Sequence, residues 1–241
     1  MKSGMGNRAA AIYAAENAKL YHADFLNISA SMENSSVDMV FTDPPFELTG
    51  GGMKNGKLNY EGGEVFSNCG FSTKHIAFGR WIPEVYRILK NERYFYVMSN
   101  DRNIFPIHSA CMDSGFIFCE LLVMDKKMTV PSSYYPKRAE FILMYRKGGY
   151  RKLHFTGATV MEARLPRGRE KRHPTEKPVP MIEHLVRCST LEGEVCLDPF
   201  MGSCPVGEAC IKAKRRFIGA EIERKWFMVS LDRIREADNN G

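Results

Sequence analysis

Glu194-Val195-Cys196-Leu197-Asp198-Pro199-Phe200-Met201-Gly202-Ser203 changes character halfway along. Residues 194–197 are strand-like and largely apolar, and the proline, glycine and serine that follow turn the chain. A small-residue helix is predicted over 206–214. A second strand, Phe217-Ile218-Gly219-Ala220-Glu221, then ends in an acid about 20 residues past the turn. Strand, turn, helix and strand make one βαβ unit, and in a doubly wound sheet ligands sit at the carboxyl ends of such strands. Gly202 permits close backbone approach there, and Glu221 can hold a ribose diol. The dinucleotide fingerprint G-x-G-x-x-G is absent, so the usual pyrophosphate cradle at the helix N-terminus is missing. A nucleoside ligand without a pyrophosphate fits better. The plainer reading, Gly202 as a turn former and Glu221 as a surface acid, stays open on this segment alone.

Working outward, strand-like and helix-like stretches alternate. Residues 37–42 (VDMVFT) are β-branched and stop at Asp43-Pro44-Pro45, since proline ends a central strand. Residues 75–90 carry Ile76, Trp81, Val85, Ile88 and Leu89 at amphipathic-helix spacing. Strands are predicted over 93–99, 116–124 and 140–146, and helices over 104–115, 179–189 and 224–236. This alternation predicts an α/β fold with a doubly wound, mostly parallel sheet, in a single domain over 1–241. Two segments break the pattern. Residues 47–63 hold six glycines and predict a mobile loop; residues 148–173 are basic, poorly periodic and predict a surface excursion.

Composition narrows the class. The chain has 241 residues, 44% of them hydrophobic, which excludes disorder over most of its length. No apolar run approaches the roughly 18 residues of a membrane span, and residues 1–25 lack the apolar core of a secretion signal. A cytoplasmic protein with no membrane partner is expected. Seven cysteines (69, 111, 119, 188, 196, 204, 210) are an odd number with no C-x-x-C pair, so buried reduced thiols are expected, and no metal site. The net charge is +6, but residues 126–177 hold 14 Lys/Arg against four Glu, a local +10 on a body of −4. Such a strip suits a polyanion, or simply a solvated basic surface.

Asp43-Pro44-Pro45-Phe46 also stands at a strand end. Two consecutive prolines fix a rigid turn with exposed carbonyls. The Asp43 carboxylate and the Pro44 carbonyl then form two preset acceptors beside an aromatic ring. They can grip a planar ring bearing an exocyclic amine, with Phe46 stacked on its face. An Asp-capped turn with a core phenylalanine is the bland alternative.

Taken together, these motifs resemble those of S-adenosylmethionine-dependent DNA amino-methyltransferases (adenine-N6 or cytosine-N4) of the permuted β group, over nearly the whole chain. The resemblance implies a circularly permuted, Rossmann-like class I methyltransferase fold. Leu20-Tyr21-His22-Ala23-Asp24-Phe25-Leu26 is similar to the segment that holds the cofactor adenine, and residues 37–46 to the catalytic strand and loop. His173-Pro174-Thr175-Glu176-Lys177-Pro178 is similar to the family's pre-helix motif beside the cofactor. Residues 198–203 match the methionine-binding loop and Glu221 the ribose acid. The implied catalytic residues are Asp43, Pro44, Pro45 and Phe46. Those implied for S-adenosylmethionine are Asp24, Phe25, His173, Thr175, Lys177, Asp198, Pro199, Phe200, Gly202, Ser203 and Glu221.

Within that family an Asp in the first motif position favours adenine over cytosine. The base is expected to be flipped out of double-stranded DNA, with single-stranded DNA or RNA as alternatives. Lys137, Arg138, Arg164, Arg167, Arg169, Lys171 and Arg172 are expected to meet phosphates, mostly from a DNA-contacting insertion over 148–172. Tyr134 and Tyr135, near Lys137 and Arg138, suit a displaced base or single strand, or else belong to the core. A restriction-modification role and a homodimer are further expectations. A catalytically degenerate nucleic-acid-binding subunit is the alternative of a different class. The chain departs from the family pattern in three places. Cys204 replaces a glycine where a left-handed backbone would be strained, and either lines the methionine pocket or is an inert buried thiol. Phe46 replaces the commoner tyrosine, and no large target-recognition domain is visible.

Overall fold

Alternating apolar residues put side chains on both faces of nearly every central strand, so the sheet is buried between two helical layers. The structure, a computed structural model, describes residues 12–45, 53–54, 57–58, 76–131, 134–164, 166, 172–173 and 176–239, with the backbone alone for 53–54 and 57–58. The strands are β1 (Tyr13–Ala14), β2 (Ala18–His22), β3 (Val37–Thr42), β4 (Met53–Lys54), β5 (Lys57–Leu58), β6 (Leu89–Ser99), β7 (Ile117–Val130), β8 (Lys137–Arg146), β9 (Val160–Glu162), β10 (Val195–Asp198) and β11 (Arg216–Glu221). The helices are α1 (Phe25–Ser29), α2 (Phe78–Ile88), α3 (Ile104–Asp113), α4 (Val179–Ser189), α5 (Pro205–Lys212) and α6 (Arg224–Asn239).

Among the described residues, nine strands form one sheet in the order β1-β2-β11-β10-β3-β6-β8-β7-β9, and β4 pairs with β5 separately. Strands β2, β11, β10, β3 and β6 pair parallel throughout. Strand β8 runs antiparallel to both β6 and β7, so β7 and its parallel neighbour β9 rejoin the common direction. Only β1, antiparallel to β2, and β8 oppose the rest, which bears out the mostly parallel sheet. The strand that ends just before Asp43 precedes in sequence the one ending in Asp198, yet lies beside it. That is the permuted order.

Strand period 2 sorts the core. Met39, Phe41, Tyr96 and Met98 face one side with Ile182 of α4, Val206 of α5 and Ile234 of α6. Val40, Phe95 and Val97 face the other with Phe25 of α1, Trp81 and Val85 of α2, and Ile107 of α3. The chain leaves β3 through α2 towards β6, and leaves β10 through α5 towards β11. The two crossovers run in opposite directions on opposite faces, as like-handed connections require. The β3/β10 boundary is therefore the switch point of the sheet, where α/β folds bind ligands.

The structure redraws several expected boundaries. Leu89 and Lys90 open β6 rather than closing the helix before it, and β7 continues to Val130 rather than stopping at residue 124. Strands β7 and β8 form a long hairpin, with Tyr134 and Tyr135 at its turn, 90% and 87% exposed. The core reading of these tyrosines therefore fails. Residues 148–173 are not wholly an excursion, because β9 adds a parallel strand beside Val123 and Met124. The expected glycine-rich loop over 47–63 lies outside the described residues except for β4 and β5. Among the described residues no helix is long and apolar enough to cross a membrane.

Candidate active site

A hydrogen bond joins the two strand-end motifs. Thr42, the last residue of β3, donates its hydroxyl to Asp198 Oδ1 at the end of β10, 2.7 Å away. The same oxygen accepts the Phe200 amide at 3.0 Å. Burial pushes the Asp198 carboxyl up to about 7, against the lowering effect of those two donors. The turn that follows is tied to the neighbouring strand. The Met201 amide donates to the Ala220 carbonyl at 2.9 Å, and the Gly202 amide to Glu221 Oε2 at 3.0 Å. Glu221 Oε1 accepts the Glu223 amide at 2.7 Å. Burial raises the Glu221 carboxyl above its ordinary value while these amides lower it.

Two residues of this turn are left-handed, Gly202 (φ +51°) and Cys204 (φ +64°). Open space lies beside Gly202, where a side chain would stand. The left-handed cysteine costs on the order of 1 kcal/mol. Its thiol is fully buried, and a Cβ on Gly207 would lie 2.4 Å from its Sγ. Gly207, one turn into α5, thus makes room for Cys204, and burial holds the thiol well above the usual range. The inert-thiol reading is the one that fits.

The segment expected beside a cofactor adenine lies against this turn. Asp24 caps α1 by accepting the Leu26 amide at 2.8 Å. Phe25 is buried, with its ring edge-on to Phe200 at 6.4 Å, and Phe200 is edge-on to Trp81 at 5.1 Å. The Ala23 amide donates to the Glu221 carbonyl at 3.1 Å. Asp24, Phe25, Asp198, Pro199, Phe200, Gly202, Ser203 and Glu221 therefore converge on one end of the sheet. His173 packs its ring against Trp226 of α6, 4.0 Å between centroids. Thr175 is outside the described residues, as is Phe46.

Lys177, expected at the cofactor, meets the Asp43 carboxylate. Its Nζ is 3.0 Å from Asp43 Oδ2 and 2.9 Å from Glu140 Oε2 on β8. Glu140 Oε1 in turn meets Lys126 Nζ, on β7, at 3.3 Å. Four charges alternate in sign from the end of β3 to the hairpin. Burial pushes the Asp43 carboxyl above its ordinary value, the Lys177 ammonium opposes this, and Glu140 adds to it. Burial alone would lower Lys177 and raise Glu140, but each is held the other way by its opposite charges. Pro44 is buried and Pro45 half-buried behind Asp43. Sequence reading missed Glu140 and Lys126, because only the pairing of Met124 with Glu140 across the hairpin brings them to this edge.

Similarity to known proteins agrees with this arrangement. A family profile described as DNA methylase, of the N6/N4 type, matches residues 37–230. The chain belongs to this DNA methylase family. Among its relatives is the type II methyltransferase M2.LlaDCHI of Lactococcus lactis subsp. cremoris, 28% identical over 251 residues, covering 95% of this chain and 93% of the relative. The crystal structure of the M1.HpyAVI–SAM complex superposes with a TM-score of 0.68 at 23% identity, covering 90% of this chain and 98% of that one. PvuII DNA methyltransferase (cytosine-N4-specific) gives 0.73 at 17% identity, covering 97% and 95%. These two superpositions are likenesses of fold.

In this DNA methylase the basic strip is partly answered by neighbouring acids. Lys137 pairs with Asp101 at 2.9 Å, Arg138 with Asp125 at 2.5 Å, and Arg172 with Glu236 at 2.5 Å. The Asp125 carboxyl is held well below its usual range by the Arg138 guanidinium. Arg164 is exposed; Arg167, Arg169 and Lys171 lie outside the described residues. The pre-helix motif divides its labour. Glu176, buried, accepts the amides of Arg172 and His173 at 2.6 and 3.1 Å and pairs with the buried Arg233 of α6, while Lys177 turns to Asp43.

Proposed function

We propose that this DNA methylase transfers a methyl group from S-adenosylmethionine to the exocyclic N6 amine of an adenine flipped out of duplex DNA. The observation that carries the reading is the Thr42–Asp198 hydrogen bond, which sets Asp43 directly beside the cofactor-type turn. The residues present fit the cofactor. Space beside Gly202 and two left-handed residues make a backbone cradle, the Glu221 carboxylate stands at the strand end, and the Phe25 and Phe200 rings pack edge-on beside the turn. Glu221 would hold the ribose hydroxyls, Asp24 and Phe25 the adenine end, and residues 199–203 the methionine end. When bound, S-adenosylmethionine supplies an electrophilic methyl group.

The chain's own residues orient the amine. Adenine's amino nitrogen is conjugated with its ring and is a poor nucleophile, so alignment matters more than a strong base. Asp43 and the Pro44 carbonyl accept its two hydrogens and favour a pyramidal nitrogen. Asp43 takes the proton that the methylated, cationic amine must lose. An amine inside a duplex is unreachable, so the base is extruded at a cost of a few kcal/mol, offset by phosphate contacts from the basic strip.

Fold alone does not choose the base, since the PvuII enzyme is cytosine-N4-specific. Asp at position 43 favours adenine. Incubation of duplex DNA with methyl-labelled cofactor, followed by nucleoside chromatography, should yield N6-methyladenine; N4-methylcytosine as the product would overturn the choice. Substituting Asp43→Ala should cut transfer by about 10³-fold or more while calorimetric affinity for the cofactor is retained. Transfer near the parent rate would remove Asp43 from the mechanism. The assembled Asp43–Lys177 contact favours an enzyme over a degenerate binding subunit.

A further inference from the structure

We propose that Lys177 is a positioning residue that holds Asp43 as an oriented carboxylate, and that Glu140 is a second positioning residue that shares the Lys177 ammonium and limits its grip on Asp43. The inference rests on the reading of Asp43 as the group that receives the amine. A carboxylate drawn into a half-buried strand end loses solvation, and a protonated Asp43 would present a donor where the amine needs an acceptor. The Lys177 ammonium, 3.0 Å from Oδ2, opposes that protonation. An ammonium bound to Asp43 alone would compete with the incoming amine for the same oxygens. Glu140, 2.9 Å from the same Nζ, divides its attention.

The backbone on which Lys177 rides is fixed independently. Its neighbour Glu176 is buried, accepts two main-chain amides and pairs with buried Arg233, so Lys177 is placed before any substrate arrives. Among the described residues, the charged groups that act on Asp43 are Lys177 from the segment before α4, Glu140 from β8, with Lys126 of β7 behind it, and Asp198 from β10. Removing the cation and removing the second anion must therefore move Asp43 in opposite directions. General damage to the site would not do that.

The test is a carbon-13 NMR titration of aspartate-labelled free protein, with the Asp43 carboxyl identified by its loss in Asp43→Asn. Lys177→Met should move the Asp43 midpoint up by about one pH unit or more, and Lys177→Arg should restore most of the shift. Glu140→Gln should move the midpoint down. The acid limb of the kcat–pH profile should follow the same two directions, with KM for DNA changed less than about twofold. A midpoint unmoved by Lys177→Met, or raised by Glu140→Gln, overturns the proposal. The conservative variants Lys177→Arg and Glu140→Gln keep the test decisive where Lys177→Met does not fold. The titration uses no substrate, so a parent protein that transferred no methyl group would refute the proposed function and leave this result standing.

Discussion

Asp198 ties a residue's chemistry to the stability of the whole sheet. Burial penalises the charge and pushes its carboxyl up to about 7, against an ordinary value near 4. A raised acid contributes its stability below the unfolded value and loses it as pH climbs through the folded one. Folding stability should therefore fall between about pH 4 and 7, with a limiting slope of about 1.4 kcal/mol per pH unit from this group. Asp198→Asn keeps an acceptor for Thr42 and for the Phe200 amide but cannot ionise. Urea unfolding of the two proteins should show the Asn variant gaining on the order of 2 kcal/mol relative to the parent between pH 5 and 7. A constant difference across that range would refute the assignment. Residues of this kind were legible in the sequence. Asp43, Asp198 and Glu221 each end an apolar run, and period-2 patterning locates strand ends well. Glu140 and Lys126 were not legible, because their meeting depends on hairpin register and on no local motif.

At the scale of elements, α6 is held to the pre-α4 segment by one buried pair, Glu176 with Arg233, and Glu208 of α5 lies 3.5 Å from the same guanidinium. Removing one partner strands the other charge in the interior. Arg233→Met should therefore destabilise the fold by about 3 kcal/mol or more, and Glu176→Gln in the same chain should recover part of that loss. A denaturation double-mutant cycle reads the coupling directly. Sequence reading placed the five longer helices well, since their apolar stripes and the Gly115 stop are local, but passed over the five-residue α1. It underestimated β7 because Lys126, Lys127 and Thr129 interrupt the apolar run, although the strand continues as a hairpin stem. The Arg138–Asp125 ion pair clips that stem, and Lys127 pairs with Glu162 of the neighbouring β9. It also passed over β9, too short for periodicity to register.

For the molecule as a whole, the +10 strip is not a bare positive surface, since Asp101, Asp125 and Glu236 from outside it sit on three of its cations. Such exposed pairs are weak and exchange readily for phosphates. Affinity for duplex DNA should fall linearly with the logarithm of salt concentration, with a slope of about −0.9 per phosphate neutralised. Asp101→Asn should tighten binding by releasing Lys137, and Lys137→Ala should flatten the slope by about one; filter binding across a salt series measures both. A slope unchanged by Lys137→Ala would exclude that residue from the interface.

The sheet order carries a consequence for how the chain is made. Strands β10 and β11 are synthesised after all the other described strands, yet they occupy the middle of the sheet, between β2 and β3. Until they insert, a nascent chain holds two early strands with bare hydrogen-bonding edges separated by a gap two strands wide. Such edges invite pairing with other chains. Insertion of β10 and β11 therefore both closes the sheet and brings the Asp198 turn beside Asp43, and a chain stopped before β10 has neither.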